Sequence, residues 1–502
     1  MICDSEASEG VLGILFSANA IMKSLRLLFS VIFCLPVLLW AGTGTWTSPA
    51  TGTALKYTTS EAVGTAAKDA EGKFMTVVYL ENLGFRKIGQ NSNAEDVAWL
   101  RAEGYRVIEI DYAHHEKAVS PYLNLDIQLI NSALQTGSFC STNSISADRA
   151  YILMEGYRLQ RNVSYYLDDP TVYNLPDDYK TTVGDSLYLD LVYPSNPVQT
   201  VPVLISFSYS NSEHNNPNKR MYLGYTFGAF KDSFLEGAAA VGMAWAICDH
   251  PKYCAWGNGK YTGGANKSLA SVEVNPDACR KVKSAVRTVR GIGKSFGLNG
   301  EVAVTGFSRG STAASLLVGD KNVTELEDAR RGRFAEESSR ISAAVLGPGV
   351  FNYQWMEAST NEYKKMADYV AAFPAYGWQM QGAHATIETK ESAPVLFFYN
   401  SSDDVNYATQ AAYLKGLLEN LGVETALIKD YGTGHSVPQD VENLRKMYDF
   451  LGKHVTLPTT DLGAILSDGQ FPDEHFFDLY GRPTNEVTKG LLFSAGHKIY
   501  RK

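Results

Sequence analysis

One five-residue run carries the strongest chemical signal in the chain: Gly306-Phe307-Ser308-Arg309-Gly310. It follows the apolar, β-branched run Glu301–Thr305 (EVAVT) and precedes the helix-forming run STAASLL. A G-x-S-x-G pattern between strand and helix is the setting a serine nucleophile requires. The serine must occupy a sharp, strained turn, and glycines are needed where side chains would collide with strand and helix. The start of the following helix brings backbone N–H groups and the positive dipole end to where an oxyanion would develop. Such a serine needs a base, and the base needs an orienting group. Both occur downstream, in the order Ser…Asp…His. Asp403 follows the apolar run PVLFFYN after a two-serine turn, with Asp404 beside it as the second choice of acid. His435 lies in Tyr431-Gly-Thr-Gly-His-Ser436, after the run Thr425–Asp430. The expected chemistry is acyl transfer. His435 takes the Ser308 proton, Asp403 fixes the imidazole, and neither a metal nor an organic cofactor is required.

These residues need a scaffold that delivers three loops to one place. From about residue 186 the chain alternates strand and helix patterns. Leu187–Val192 alternates with period two, and Val201–Phe207 is a continuous apolar run, as in a strand buried on both faces. Val241–Ile247, Glu301–Thr305, Ser342–Leu346 and Pro394–Phe398 supply further strands. Asn275-Pro276-Asp277 opens a helix, with Val282, Ala285, Val286, Val289 and Ile292 as its apolar stripe. This alternation predicts an α/β fold: a mostly parallel central sheet with helices on both faces. Each candidate residue then falls in a loop after a strand, where open α/β sheets hold ligands.

The rest of the chain divides around this unit. Residues 1–41 read as a signal peptide, with Lys23 and Arg26 ahead of the apolar run Leu27–Ala41 and Met22 as the natural start. The run is short for a membrane span and Pro36 interrupts it. Residues 42–185 read as a linker and a small N-terminal α/β accessory region. Within it, 42–72 reads as a flexible lead-in. Phe74–Leu80, Ala94–Glu103 and Tyr105–Ile110 read as strand, helix and strand, and 141–185 as polar and turn-rich. Residues 186–456 form the expected catalytic domain, and 457–502 a short C-terminal hairpin tail.

Composition sets outer limits. The chain has 502 residues, 45% hydrophobic and 20% charged, which excludes wholesale disorder. Lys and Arg number 45 against 54 Asp and Glu, a net charge of −9, so no general basic excess is available for nucleic acid or an anionic membrane. Cys140, Cys248, Cys254 and Cys279 remain after signal removal. Up to two disulfides, with Cys248–Cys254 the simplest pair, and buried thiols are both open.

The span from about 186 to 455 resembles the α/β-hydrolase superfamily, in its esterase and prolyl-oligopeptidase-like branches. The family's acid loop HGxxDxxVPxxQ is similar to Tyr399–Gln410, YNSSDDVNYATQ, which implies Asp403 as the acid and retains Gln410. Tyr399-Asn400 replaces the usual His-Gly, a departure expected to touch the strand end and not the triad. The histidine turn appears as Gly432-Thr-Gly-His435-Ser. In place of the esterase HGGG stands Ser208-Tyr209-Ser210-Asn211, so the resemblance implies oxyanion donors on the backbone of Arg309 and of Tyr209 or Ser210. The tail pattern, from Phe477-Asp-Leu-Tyr-Gly-Arg482 to Lys489-Gly490 and Gly496-His-Lys-Ile-Tyr500, resembles the C-terminal sorting modules of Gram-negative export. That implies a periplasmic, surface or secreted location and no stable membrane span.

Aromatic residues Trp256, Trp355 and Trp378 are candidates to stack on a substrate, or to pack a lid onto the core. Arg309 opposes the dipole at its helix start. It is expected either to hold an anionic group such as a uronate or to pair with a nearby acid. By analogy with exported hydrolases, the expected substrate is an ester decoration on a plant polysaccharide or oligosaccharide: a pectin methyl ester, an acetyl group or a feruloyl group. A serine peptidase of prolyl-oligopeptidase-like type and a non-catalytic binding protein on the same scaffold remain as alternatives.

Overall fold

The computed structural model describes residues 42–47, 52, 54–68, 72, 74–82, 91–111, 149–166, 187–207, 238, 241–249, 277–321, 333–352, 382–403, 407–438, 441–458, 476–478, 483–484, 490–494 and 497–501. Two sheets carry most of them. The first is built from β1 (Gly42–Thr47), β2 (Ala54–Ser60), β3 (Met75–Glu81), β4 (Arg106–Asp111) and β5 (Arg149–Met154), in the order β1-β2-β4-β3-β5. Strands β3, β4 and β5 are parallel, and the β1–β2 hairpin adds antiparallel to β4. Helix α1 (Asn93–Ala102) joins β3 to β4. Its start is specified by Ser92, whose hydroxyl accepts from the Glu95 N–H while the Glu95 carboxylate accepts from the Ser92 N–H.

The hairpin corrects the expectation of a flexible lead-in at 42–72. Its threonines are β-branched and favour strands, and Leu55 and Thr59 alternate with exposed neighbours to reach the core. Composition alone concealed that alternation.

The second sheet has eight strands. In chain order they are β6 (Tyr157–Tyr166), β7 (Leu187–Pro194), β8 (Val201–Phe207), β9 (Ala244–Cys248), β10 (Leu298–Gly306), β11 (Ala343–Leu346), β12 (Val395–Tyr399) and β13 (Thr425–Lys429). Across the sheet they run β13-β12-β11-β10-β8-β9-β7-β6. The six strands from β13 to β9 are parallel, while β7 and β6 pair antiparallel at one edge. The sheet therefore draws its edge strand from residues 157–166, N-terminal of the boundary expected at 186.

Helices cover both faces. They are α2 (Asp277–Gly293), α3 (Arg309–Ser315), α4 (Tyr407–Asn420) and α5 (Val441–Gly452). Alternate residues of each strand serve opposite faces. Val203, Val304, Leu346 and Phe397 pack with Val282, Val286, Ala313 and Leu414 of α2, α3 and α4. Leu204, Ala303, Val345 and Phe398 face the other way and join a core that includes Met447 and Leu451 of α5. That same core continues into the first sheet through Leu100, Val107 and Tyr151. Fully burying one such aliphatic side chain is worth about 1.5–3 kcal/mol, so the stripe on α2 alone fixes that helix firmly. All seven residues of β8 are buried, as its unbroken apolar run requires.

A third, four-stranded antiparallel sheet is formed by β14 (Phe476–Asp478), β15 (Pro483–Thr484), β16 (Gly490–Ser494) and β17 (His497–Arg501). Among the described residues, no helix is long and apolar enough to cross a membrane. The expected signal segment, residues 1–41, lies outside the described residues. Cys248 and Cys279 are both buried, while Cys140 and Cys254 lie outside them.

Candidate active site

Three strands of the parallel part of the sheet lead into the three candidate residues. Strand β10 leads into Ser308, β12 into Asp403 and β13 into His435, with β11 lying between β10 and β12. Ser308 caps helix α3 with φ 55° and ψ −122°, a left-handed φ that costs a non-glycine residue about 1–3 kcal/mol. The turn that holds it is closed by Gly310 N–H donating to the Phe307 carbonyl (3.0 Å) and Thr312 N–H to the Ser308 carbonyl (3.1 Å). Gly306 is required by close approach: a Cβ there would lie 2.3 Å from the Gly310 carbonyl oxygen.

The segment leaving β11 is pinned beside this turn. Gly347 N–H donates to the Gly306 carbonyl (3.0 Å), and the Ser311 hydroxyl donates to the Gly347 carbonyl (2.7 Å). Gln410 of α4, fully buried, accepts from the Phe351 and Asn352 N–H groups and donates to the Asn352 carbonyl.

Asp403 and His435 meet. The Asp403 Oδ2 lies 2.7 Å from His435 Nδ1, with the carboxylate almost fully buried (2% exposed) and the imidazole 29% exposed. A carboxylate can only accept, so Nδ1 carries the proton and donates, leaving Nε2 as the basic nitrogen. Two aromatic rings lie on the imidazole. Phe307, the residue before Ser308, has its centroid 4.6 Å away, and Tyr407 is stacked at 5.2 Å with 26° between planes. Contact with Phe307 brings the Asp403–His435 pair to the Ser308 turn.

The His435 turn is itself held. Tyr431 Oη donates to the Ser436 carbonyl (2.6 Å). Burial, with the Asp403 charge adding to it, pushes that phenol well above its ordinary range, so it stays protonated as a donor. Gly434 N–H donates to Ser402 Oγ (3.0 Å), and Asp430 Oδ1 accepts from Ser401 N–H (2.6 Å). That Ser401 bond, with Lys429 also contributing, holds the Asp430 carboxyl below its ordinary range.

Asn400 corrects one expectation. It replaces a glycine of the resembled motif and was expected to touch only the strand end. Its side chain instead reaches the histidine turn at Gly432, Gly434 and Ser436. Its signal in the sequence was only that an amide stood where a glycine is usual, at the end of a buried strand.

For Arg309 the structure describes the backbone, the first residue of α3. The other oxyanion candidates Tyr209 and Ser210, the aromatic candidates Trp256, Trp355 and Trp378, and the alternative acid Asp404 lie outside the described residues.

No family model matches the chain, and no curated protein matches it. Among solved structures, it is similar to a truncated carbohydrate esterase from gut microbiota, at 19% identity over 60% of this chain and 97% of that one, with a TM-score of 0.42. It is similar to a bifunctional GH43-CE from Bacteroides eggerthii at 21% identity and a TM-score of 0.43, over 59% of this chain and 38% of that one. A thermophilic esterase from the Planctomycetes species Thermogutta terrifontis matches at 16% identity over 61% of this chain and 97% of that one, with a TM-score of 0.39. Likenesses of this size carry no weight in assigning chemistry, which rests here on Ser308, Asp403 and His435.

Proposed function

We propose that this protein is a serine carboxyl-ester hydrolase on an α/β-hydrolase scaffold. The observation that carries the reading is one arrangement. A serine at left-handed φ follows a buried parallel strand, and an Asp403–His435 pair at 2.7 Å lies against its neighbour Phe307. The sheet order, with the antiparallel β6–β7 edge and the nucleophile, acid and base following β10, β12 and β13, supports the same scaffold.

In this reading, His435 Nε2 accepts the Ser308 proton as Oγ attacks the ester carbonyl. Asp403 holds the imidazole in that tautomer and stabilises its charged form. The Arg309 N–H, with Tyr209 or Ser210, donates to the oxyanion. The alcohol leaves with a proton from His435, and water then hydrolyses the acyl-enzyme by the same steps in reverse roles. The substrate we propose is an ester decoration on a plant polysaccharide, methyl-esterified uronate first among them because Arg309 suits the free carboxylate of a neighbouring unesterified uronate in the same polymer. The enzyme would meet it outside the cytoplasm.

The test is release of methanol, acetate and ferulate from esterified plant polysaccharides, alongside a simple aryl ester, by the wild type and by Ser308→Ala. The expected result is release of one product by the wild type and a loss of about 10⁶-fold in kcat in the variant. Undiminished hydrolysis by Ser308→Ala would overturn the serine mechanism. Aryl-ester cleavage without any polysaccharide product would overturn the substrate assignment alone, whereas peptide cleavage in place of any ester hydrolysis would overturn the ester assignment and leave only the serine mechanism.

A further inference from the structure

Asn400 follows β12 directly and is 2% exposed. A side-chain amide buried that deeply needs partners for both of its ends. Its Oδ1 accepts from the Gly432 N–H (3.0 Å), and its Nδ2 donates to the Gly434 carbonyl (3.1 Å) and to Ser436 Oγ (3.0 Å). The reversed amide would set NH₂ against N–H and oxygen against carbonyl, so the partners themselves fix the orientation. All three partners lie in the His435 turn, two before the histidine and one after it. The Asn400 main chain serves the other turn, since its carbonyl accepts the Asp403 N–H (3.2 Å). One residue thus ties the acid turn to the base turn.

The base turn needs such a tie. It carries Gly432 and Gly434, the latter at φ +61°, and glycine gives a turn little intrinsic stiffness. The His435 side chain is part-exposed, so burial alone does not fix it, whereas Asp403 is buried in place. Resting on the hydrolase reading above, we propose that Asn400 is a positioning residue that sets the register of His435 against Asp403. A misplacement of about 1 Å in a catalytic group is enough to cost about 10²-fold in rate.

The experiment compares wild type, Asn400→Ala, Ser436→Ala and Ser308→Ala on an aryl ester, with rates expressed per active site titrated with a fluorophosphonate for the three proteins that keep Ser308 and per mole of folded protein for Ser308→Ala. It reads kcat and KM separately, together with the downfield proton resonance of the His435 Nδ1–H. For Asn400→Ala the expectation is kcat lower by about 10²-fold, KM within about twofold, and the downfield resonance broadened or lost. Ser436→Ala, which removes one of the three bonds, falls between it and wild type. It carries the test if Asn400→Ala does not fold. Wild-type kcat and an intact resonance in a folded Asn400→Ala, or in Ser436→Ala where that variant alone folds, would overturn the proposal. Undiminished turnover by Ser308→Ala is the separate result that would remove the hydrolase reading beneath it.

Discussion

In the proposed mechanism Asp403 acts on Ser308 only through the proton it places on His435. Its carboxylate accepts from Nδ1 at 2.7 Å and leaves Nε2 free to act as base. Replacing it with asparagine keeps shape and volume but offers an NH₂ to the same nitrogen. Nδ1 then becomes the acceptor, the ring proton moves to Nε2, and the base is lost. Asp403→Asn is therefore expected to lower kcat by about 10⁴-fold at neutral pH. Aryl-ester kinetics with a thermal melt would check this, and a melt unchanged beside near-normal kcat would exclude Asp403 as the orienting acid. At this scale the sequence was most readable where chemistry restricts residue type. Ser308, Asp403 and His435 could be singled out as candidates because acyl transfer, the chemistry proposed, needs those types in loops after strands. Asn400 and Tyr407 could not, because their roles depend on which turn each side chain faces. Asn400 crosses to a turn some thirty residues away, and Tyr407 reaches the imidazole only because α4 starts beside it.

Strand β10, the Ser308 turn and helix α3 work as one element, and its tolerance is set by backbone. A Cβ on Gly306 would meet the Gly310 carbonyl oxygen at 2.3 Å, its carbon at 2.4 Å and the Ser311 nitrogen at 2.5 Å. None of these atoms belongs to a flexible side chain, so strand and helix must separate. Gly306→Ala is expected to abolish ester hydrolysis and lower the melting temperature. Gly416, inside α4, makes the opposite case, since a Cβ there meets nothing within 4 Å. Gly416→Ala should stabilise by about 0.5–1 kcal/mol through helix propensity and a less flexible unfolded chain, with activity unchanged. Parallel melts of the two variants decide it; equal effects would mean that the close approach at Gly306 is not the constraint. Elements with a strong period were legible in the sequence: the stripe on α2 and the buried runs of β8 and β12. Strand β6 was not. Its pairing with β7 shifts register at Gln160/Val163 and at Ser164/Tyr166, with Asn162 at φ 53°. Such bulges break the two-residue period, and a polar edge strand then reads as a turn.

The two large sheets share one core, and Asp96 is one of the polar groups that join them. It lies on α1 of the first unit, fully buried. Its Oδ1 accepts from the Arg158 guanidinium on β6 (3.1 Å), and its Oδ2 accepts from the hydroxyls of Ser195, just past β7 (2.8 Å), and Tyr79 on β3 (3.3 Å). The Arg158 guanidinium also lies 4.8 Å from the Trp99 ring of α1. Removing one partner of a buried charged cluster leaves the others desolvated, at a cost of about 3–5 kcal/mol. Asp96→Ala is therefore expected to lower the stability of the whole molecule by that amount, read from urea unfolding. The edge β6–β7 lies across the sheet from β12 and β13, so the folded variant should keep its kcat. Because the apolar core runs without a break from Leu100 and Tyr151 to Val345 and Met447, both sheets should unfold together. Circular dichroism and residual ester hydrolysis should then give one midpoint in each protein, lower in the variant. If hydrolysis outlasted the loss of the first sheet, the N-terminal unit would be a separable accessory and not part of the catalytic body.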